Sequence, residues 1–444
     1  MKGAFDFRSF RKGFAAAAGL GALAAVGCLA AEPAAASTYK ILHSFGASEE
    51  NGLTPLSALM DAKGKLYGAT AYGGGGSGPN SWCPGYGCGV EFELSPPATT
   101  GGAWTETVLH SFGASSMDTA NPQSAVIMDT KGNLYGTTAG VGSLVASAFE
   151  LSPPAKTGGA WTETVLYSFG GSSITDPFGP LSALIRDDKG NLYGNAANGG
   201  AYGSGVAFEL SPPAATGGKW TLTVLHSFGA SSTDGHFPEG TLIKDDKGNL
   251  YGTTLVGGAY GSGAAFELSP PATTGGKWTE TVLHSFRVGS TDGQYPQTAG
   301  LIMDAKGKLY GTTDQGGAYV YGTVFELSPP ATTGGKWTET LLHSFSGADG
   351  QYPVAALIMD AKGNLCGTTA LGGGRGFGVV FELSPPAKTG GAWTDKTLHS
   401  FGASSTDGQT PQAALIMDAE GNLYGTTGSG GAYGPPPATA QCSN

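Results

Sequence analysis

Six of the seven histidines stand in one tetrapeptide, LHSF: His43, His110, His226, His284, His343 and His399. Imidazole is the side chain best suited to proton transfer and metal ligation near neutral pH. Yet the tetrapeptide recurs through the chain, and Tyr167 takes the seventh place without disturbing the text around it. A residue that recurs in every copy is first a folding requirement, so these histidines are expected to hydrogen-bond between neighbouring copies. The same reading covers Trp104, Trp161, Trp220, Trp278, Trp337 and Trp393, and the FEL glutamates Glu93, Glu150, Glu209, Glu267, Glu326 and Glu382.

Catalysis would need residues that break the pattern. These are His236, Glu239, Arg287, Asp314, Arg375 and Asn195. Glu239 directly follows Pro238, where other copies carry Leu56, Gln123, Leu181, Gln297, Val354 and Gln412. A glycoside hydrolase needs two carboxyl groups at a defined separation; Glu239 with Asp314 or Asp292, beside His236, is the set the sequence offers. No Ser-His-Asp pattern with a nucleophile elbow, phosphate loop or zinc motif is present, so no cofactor or metal is expected.

Binding is read from two regular features. An Asx residue precedes a proline by four in every copy: Asn51, Asp118, Asp176, Asp234, Asp292, Asp349 and Asp407. Each is expected to close an Asx turn. A cation-binding ring of carboxylates is the rival, but calcium needs six or more oxygens and no Asp-x-Asp-x-Asp-Gly run occurs. Tyr202, Tyr260, Tyr319 and Tyr433 recur in Gly-Gly-Ala-Tyr loops, where aromatic rings beside polar neighbours suit sugars. Packing between loops is the alternative. Gln297 joins this set as a channel-mouth residue.

The elements that position these residues are written in the repeat. The second residue of the tetrapeptide falls at 43, 110, 167, 226, 284, 343 and 399, a period near 58. Each copy parses into four strands. A Pro-led apolar run is followed by the turn Asp-x-x-Gly-Asn and by Leu-Tyr-Gly-Thr-Thr. A Gly-rich loop then leads to the FELS strand, a Pro-Pro turn, and a strand running from Trp to LHSF. Four antiparallel strands repeated seven times predict an all-β, seven-bladed β-propeller. The Pro-apolar-Asp-x-x-Gly-Asn-Leu-Tyr segment resembles the inner two strands of other propeller families, which implies that the Pro-led strand is innermost. Its nearly continuous apolar text predicts burial on both faces. The N-terminal strand Thr38–Phe45 should close the last blade from outside. A solenoid would leave its sheet edges open.

Residues 1–36 read as a secretory signal: Lys2, Arg8, Arg11 and Lys12, an apolar run from Phe14 to Ala31, and a small-residue site at Ala34-Ala35-Ala36. Ala25-Val26-Gly27-Cys28 is lipobox-like, which makes lipid attachment at Cys28 the alternative address. Cleavage would leave a net charge of −13 on residues 37–444, which disfavours nucleic-acid partners. No later apolar run is long enough to span a bilayer. Cys83 and Cys88 are expected to form a local disulfide in an insertion unique to the first copy; Cys366 replaces a repeat tyrosine and reads as a buried thiol. Residues 435–444 read as an irregular tail.

Taken together, LHSF, DxxGNLYGTT, GGAYG and VFELSPP resemble the Gloeobacter/Verrucomicrobia-type tandem repeat of exported bacterial proteins, over about residues 40–434. The resemblance implies export and a propeller-like fold, and no defined activity. The reading that follows is an exported, monomeric, non-catalytic scaffold that binds an extracellular glycan or cell-surface protein through its Asp-Gly-Gln-Tyr-Pro and Gly-Gly-Ala-Tyr loops. A carbohydrate-active hydrolase or lyase around Glu239 is the alternative.

Overall fold

The structure is a computed structural model. It describes residues 3–8 and 38–433, apart from 47, 49, 75–82, 84–86, 100, 114–118, 141–144, 157, 171–174, 216, 274, 290, 297–299, 333 and 389. Among the described residues every regular element is a strand. The repeat parses as four antiparallel strands in sequence order; blade five, for example, is Ile302–Met303, Leu309–Thr313, Thr323–Ser328 and Thr338–Ser344. Its first turn is closed by Asp304, whose Oδ1 accepts Lys306 N at 2.8 Å and Lys308 N at 2.9 Å, while Gly307 takes φ +77°.

The expected seven repeat-built blades are corrected to six. Six sheets take all four strands from one continuous repeat, the first from Met60–Ala62 to Thr105–Ser111 and the sixth from Ile358–Met359 to Thr394–Ser400. The last repeat supplies only the two inner strands, Ile416–Met417 and Leu423–Thr426. The physical reason is plain in the text: residues 432–444 contain no FELS sequence. That sheet is completed from the other chain end. Gly3–Arg8 occupies the third place and Thr38–Ser44 the outermost.

Gly3–Arg8 pairs as a third strand would. Phe5 faces Gly425, Asp6 faces Tyr424 and Phe7 faces Leu423, as Phe381, Glu382 and Leu383 face Gly367, Cys366 and Leu365 in blade six. The register steps between Ala4 and Phe5 as it does between Val380 and Phe381. Several contacts join this composite sheet to blade one. Thr426 Oγ1 donates to Ser57 O at 3.1 Å, Phe45 packs on Phe92 at 4.8 Å between ring centroids, and Trp104 lies 6.5 Å from Tyr424.

Those contacts are one instance of a rule that runs round the ring. At six junctions the tetrapeptide Phe of one sheet packs on the FELS Phe of the next, as Phe228 on Phe266 and Phe345 on Phe381, and all are essentially without solvent exposure. Burying one such ring contributes about 2–3 kcal/mol, so these pairs carry much of the blade-to-blade adhesion. The glycine of Leu-Tyr-Gly is required by the same Phe. A Cβ on Gly252 would lie 2.6 Å from Phe266 Cζ. The repeat threonine adds a polar rivet: Thr312 Oγ1 donates to Ala355 O, and Thr368 Oγ1 to Ala413 O.

The innermost strand departs from expectation. It pairs over two residues, three in blade one, as at Ile302–Met303, which are both half-buried. The segment leading into it alternates in burial, as at Pro353–Leu357, instead of being covered on both faces. The cause is convergence at the axis. Small side chains of the inner segments, among them Ala58, Ser124, Ala183, Thr241, Gly300 and Ala356, line a central cavity of about 330 Å3. Cys83 and Cys88 form the expected disulfide, against Leu109, Phe112 and Ala120. Cys366 is a buried free thiol, pushed up to about 12 by burial.

Candidate functional site

The functional face is built where each outer strand turns toward the next blade. Two-residue ladders tie the turn after LHSF to the Gly-rich loop: Gly235–His236 pairs with Val256–Gly257, and Gly293–Gln294 with Gln315–Gly316. The Asx residues and the loop tyrosines therefore share one face, as the topology of a four-stranded meander predicts.

The tyrosine loops are tight and tethered. Gly203 N donates to Gly200 O and Gly261 N to Gly258 O, which leaves Ala-Tyr at each tip. The serine of LHSF anchors the tip: Ala201 N donates to Ser227 Oγ at 3.3 Å, Ala259 N to Ser285 Oγ at 3.1 Å, and Ala432 N to Ser44 Oγ at 3.2 Å. The rings point to solvent. Tyr202 is 56% exposed, Tyr260 61%, Tyr319 55% and Tyr433 43%. Packing between loops, the bland reading of these residues, would have hidden them.

The Asx residues do two things. Their carboxylates close the turn: Asp234 Oδ2 accepts Ala230 N at 2.8 Å, Asp292 Oδ2 accepts Arg287 N at 3.3 Å, Asp349 Oδ1 accepts Ser346 N at 2.7 Å, and Asp407 Oδ2 accepts Ala403 N at 2.9 Å. They also meet the LHSF histidines. Nε2 of His226 lies 3.5 Å from Asp234, that of His284 3.3 Å from Asp292, that of His343 3.1 Å from Asp349, and that of His399 3.4 Å from Asp407. The histidines thus sit between blades as expected.

A third member of this cluster was not singled out from sequence. The second residue of each outer strand comes from the next blade: Glu280 beside His226, Glu339 beside His284, and Asp395 beside His343. In each of these three junctions the ligand atoms lie within 4.8 Å of one another. Burial, with Asp234 alongside, pushes the Glu280 carboxyl up to about 7. Burial, with Asp292 alongside, does the same to Glu339. A signal was available in the Thr-Glu-Thr alternation. On an outer strand the two threonines face solvent, so the carboxylate between them must face inward.

The catalytic candidates are placed apart. Glu239 begins the inner segment of blade four and Asp314 directly follows the second strand of blade five, Leu309–Thr313. Among the described residues no hydrogen bond or ion pair joins either to the other or to His236. Burial raises both carboxyls, and Gln315 partly offsets this at Asp314. His236 lies in the Gly235–His236 ladder. Asn195, which stands where other blades have threonine, is a rivet: its Nδ2 donates to Gly240 O at 2.8 Å. Gln297 and Asp118 lie outside the described residues.

Comparison with known proteins follows from this repeat. The Gloeobacter/Verrucomicrobia repeat family matches residues 80–302 and 273–435. The chain belongs to that family. No curated protein matches it. Among solved structures, a putative 6-phosphogluconolactonase from Bacteroides uniformis is 12% identical at a TM-score of 0.47, with 89% of this repeat protein and 95% of that chain covered. An ulvan lyase of polysaccharide lyase family PL25 is 12% identical at a TM-score of 0.45, covering 78% and 85%. A Trypanosoma rangeli sialidase is 10% identical at 0.38, covering 88% and 55%. Likeness at this distance carries no inference about chemistry. Among the described residues, no helix of this family member is long and apolar enough to cross a membrane.

Proposed function

We propose that this propeller is an exported binding scaffold that holds an extracellular glycan on its tyrosine face, without turning it over. One observation carries the reading: consecutive blades three, four and five each raise a solvent-facing tyrosine at the same place, and the composite sheet raises a fourth. A flat exposed ring beside hydroxyl and amide groups complements the apolar face and polar edge of a pyranose. Repetition at blade spacing suits a polymer with repeating units, because modest contacts on one ligand multiply through effective concentration. Export rests on the leader reading of residues 1–36.

A glycan-array screen of the purified chain, with released sugars assayed in the same wells, tests this. Saturable binding without product is expected. One feature favours a second reading, a hydrolase or lyase: Glu239 and Asp314 are both partly buried carboxyls held toward their protonated form. That reading requires product release that Glu239→Gln abolishes while the fold survives.

A further inference from the structure

The blade junctions differ in one respect that bears on ligands. At His43 the imidazole lies 3.0 Å from Glu106, and Asn51 Nδ2 donates to the same carboxylate at 2.9 Å. At the His110 junction Thr119 Oγ1 donates to Glu163 at 2.8 Å. At His399 the next-blade position is Tyr39, whose hydroxyl donates to Asp407. Each of these junctions has a neutral donor among its acceptors.

The His226 junction has no such side chain: its neutral donors are Ala230 N, 2.8 Å from Asp234 Oδ2, and the imidazole itself. Asp234 supplies a carboxylate where the first junction has an amide, and Glu280 supplies a second. His226 Nε2 lies 3.5 Å from Asp234 Oδ2 and 3.7 Å from Glu280 Oε2. The Asp234 side chain is 3% exposed, yet its Oδ1 has no hydrogen-bond partner. Among the described residues no lysine or arginine forms an ion pair with the three. The next junction is different, since Arg287 Nε lies 3.8 Å from Asp292.

Two carboxylates turned toward one imidazole in a buried place need a proton or a cation among them. One imidazole nitrogen and two carboxylates form a ligand set for a borderline first-row divalent ion. The spacing agrees. A tetrahedral zinc site with ligands at about 2.0–2.1 Å has edges of about 3.3 Å, close to the two distances measured here. Calcium, which prefers six to eight oxygens, fits poorly. Partial exposure of His226 and Glu280, at 17% and 15%, leaves an opening for a water as fourth ligand.

We propose that His226, Asp234 and Glu280 bind a zinc-class divalent cation that clamps blade three to blade four. The site lies on the same face as the loop tyrosines and contains none of them. Its residues lie 54 positions apart at the extremes, so no local motif announces it.

The test uses the full chain, stripped with chelator and titrated with zinc chloride by calorimetry, with bound metal counted after dialysis. Asp234→Asn is the informative variant, because it recreates the amide that Asn51 supplies in a junction of the same fold. Relative to wild type it should lose one equivalent of zinc per chain. Glu280→Leu is a second variant, since Leu222 occupies that position one blade earlier; it should lose the same equivalent. Cobalt loading gives a structural readout: visible d–d bands in the wild type, weakened in both variants. Undiminished stoichiometry in both variants, or no zinc bound by the wild type, would overturn the proposal. The latter outcome would mean that the two carboxyls simply share a proton.

Discussion

Glu91 is the residue where this fold carries an unanswered cost. It stands on the third strand of blade one, where other blades have Ala148, Ala207, Ala265, Val324 and Val380. It is fully buried, and neither oxygen has a hydrogen-bond partner. Burial raises its carboxyl well above the ordinary range, so the folded chain keeps a proton that the unfolded chain releases. Stability should therefore be highest below about pH 4.3 for this group and fall as pH rises toward the raised value, by about 1.4 kcal/mol per pH unit. Glu91→Val should raise the melting temperature at pH 7–8 and lose that advantage near pH 4, as thermal melts across that range would reveal. Glu91 was not among the pattern-breaking residues singled out from the sequence, and only the fold gives its burial. The sequence displayed the loop tyrosines but not their exposure, because packing and display use the same residue type.

Elements were more legible than residues. The Asp-x-x-Gly-Asn turn, the Gly-flanked loops and the meander order follow from turn chemistry and alternation, and each appears where expected. The inner strand did not follow, because its apolar text reflects convergence of small side chains on an axis and not burial on two faces. Junction glutamates were missed for a related reason: a carboxylate between threonines reads as solvent-facing until the neighbouring blade is in place. The loop geometry makes a sharp prediction. Gly263 has φ +101°, and an added Cβ would lie 2.6 Å from both Thr254 O and Pro296 Cδ. Gly263→Ala should cost about 2–4 kcal/mol, read from the denaturant midpoint. Ser285→Ala, which removes the tether to Ala259 N, should leave the midpoint within about 1 kcal/mol and weaken ligand binding at the Tyr260 loop.

At the scale of the whole molecule, six repeats fold as blades and the seventh borrows. The period near 58 announced the architecture, and the outermost place of Thr38–Ser44 could be reached by counting strands. What counting could not reach was Gly3–Arg8 as the third strand, because its segment also reads as a leader. Removal of residues 1–36 would leave Leu423–Thr426 paired only with Ile416–Met417 and Thr38–Ser44 without its partner. Residues 37–444 should then unfold at a lower temperature than the full chain, with hydrogen exchange fastest at Ile416–Thr426; equal melting curves would deny this strand a structural role. The central claim concerns the opposite property of the ring, its equivalent tyrosines. The most direct measurement is a glycan-array titration of the wild type beside a variant with Tyr202, Tyr260 and Tyr319 all changed to Ala. The account predicts saturable binding by the wild type, loss of about 100-fold or more in the variant, and an unchanged melting temperature. Equal binding by the two proteins, or no glycan bound by the wild type, would contradict it.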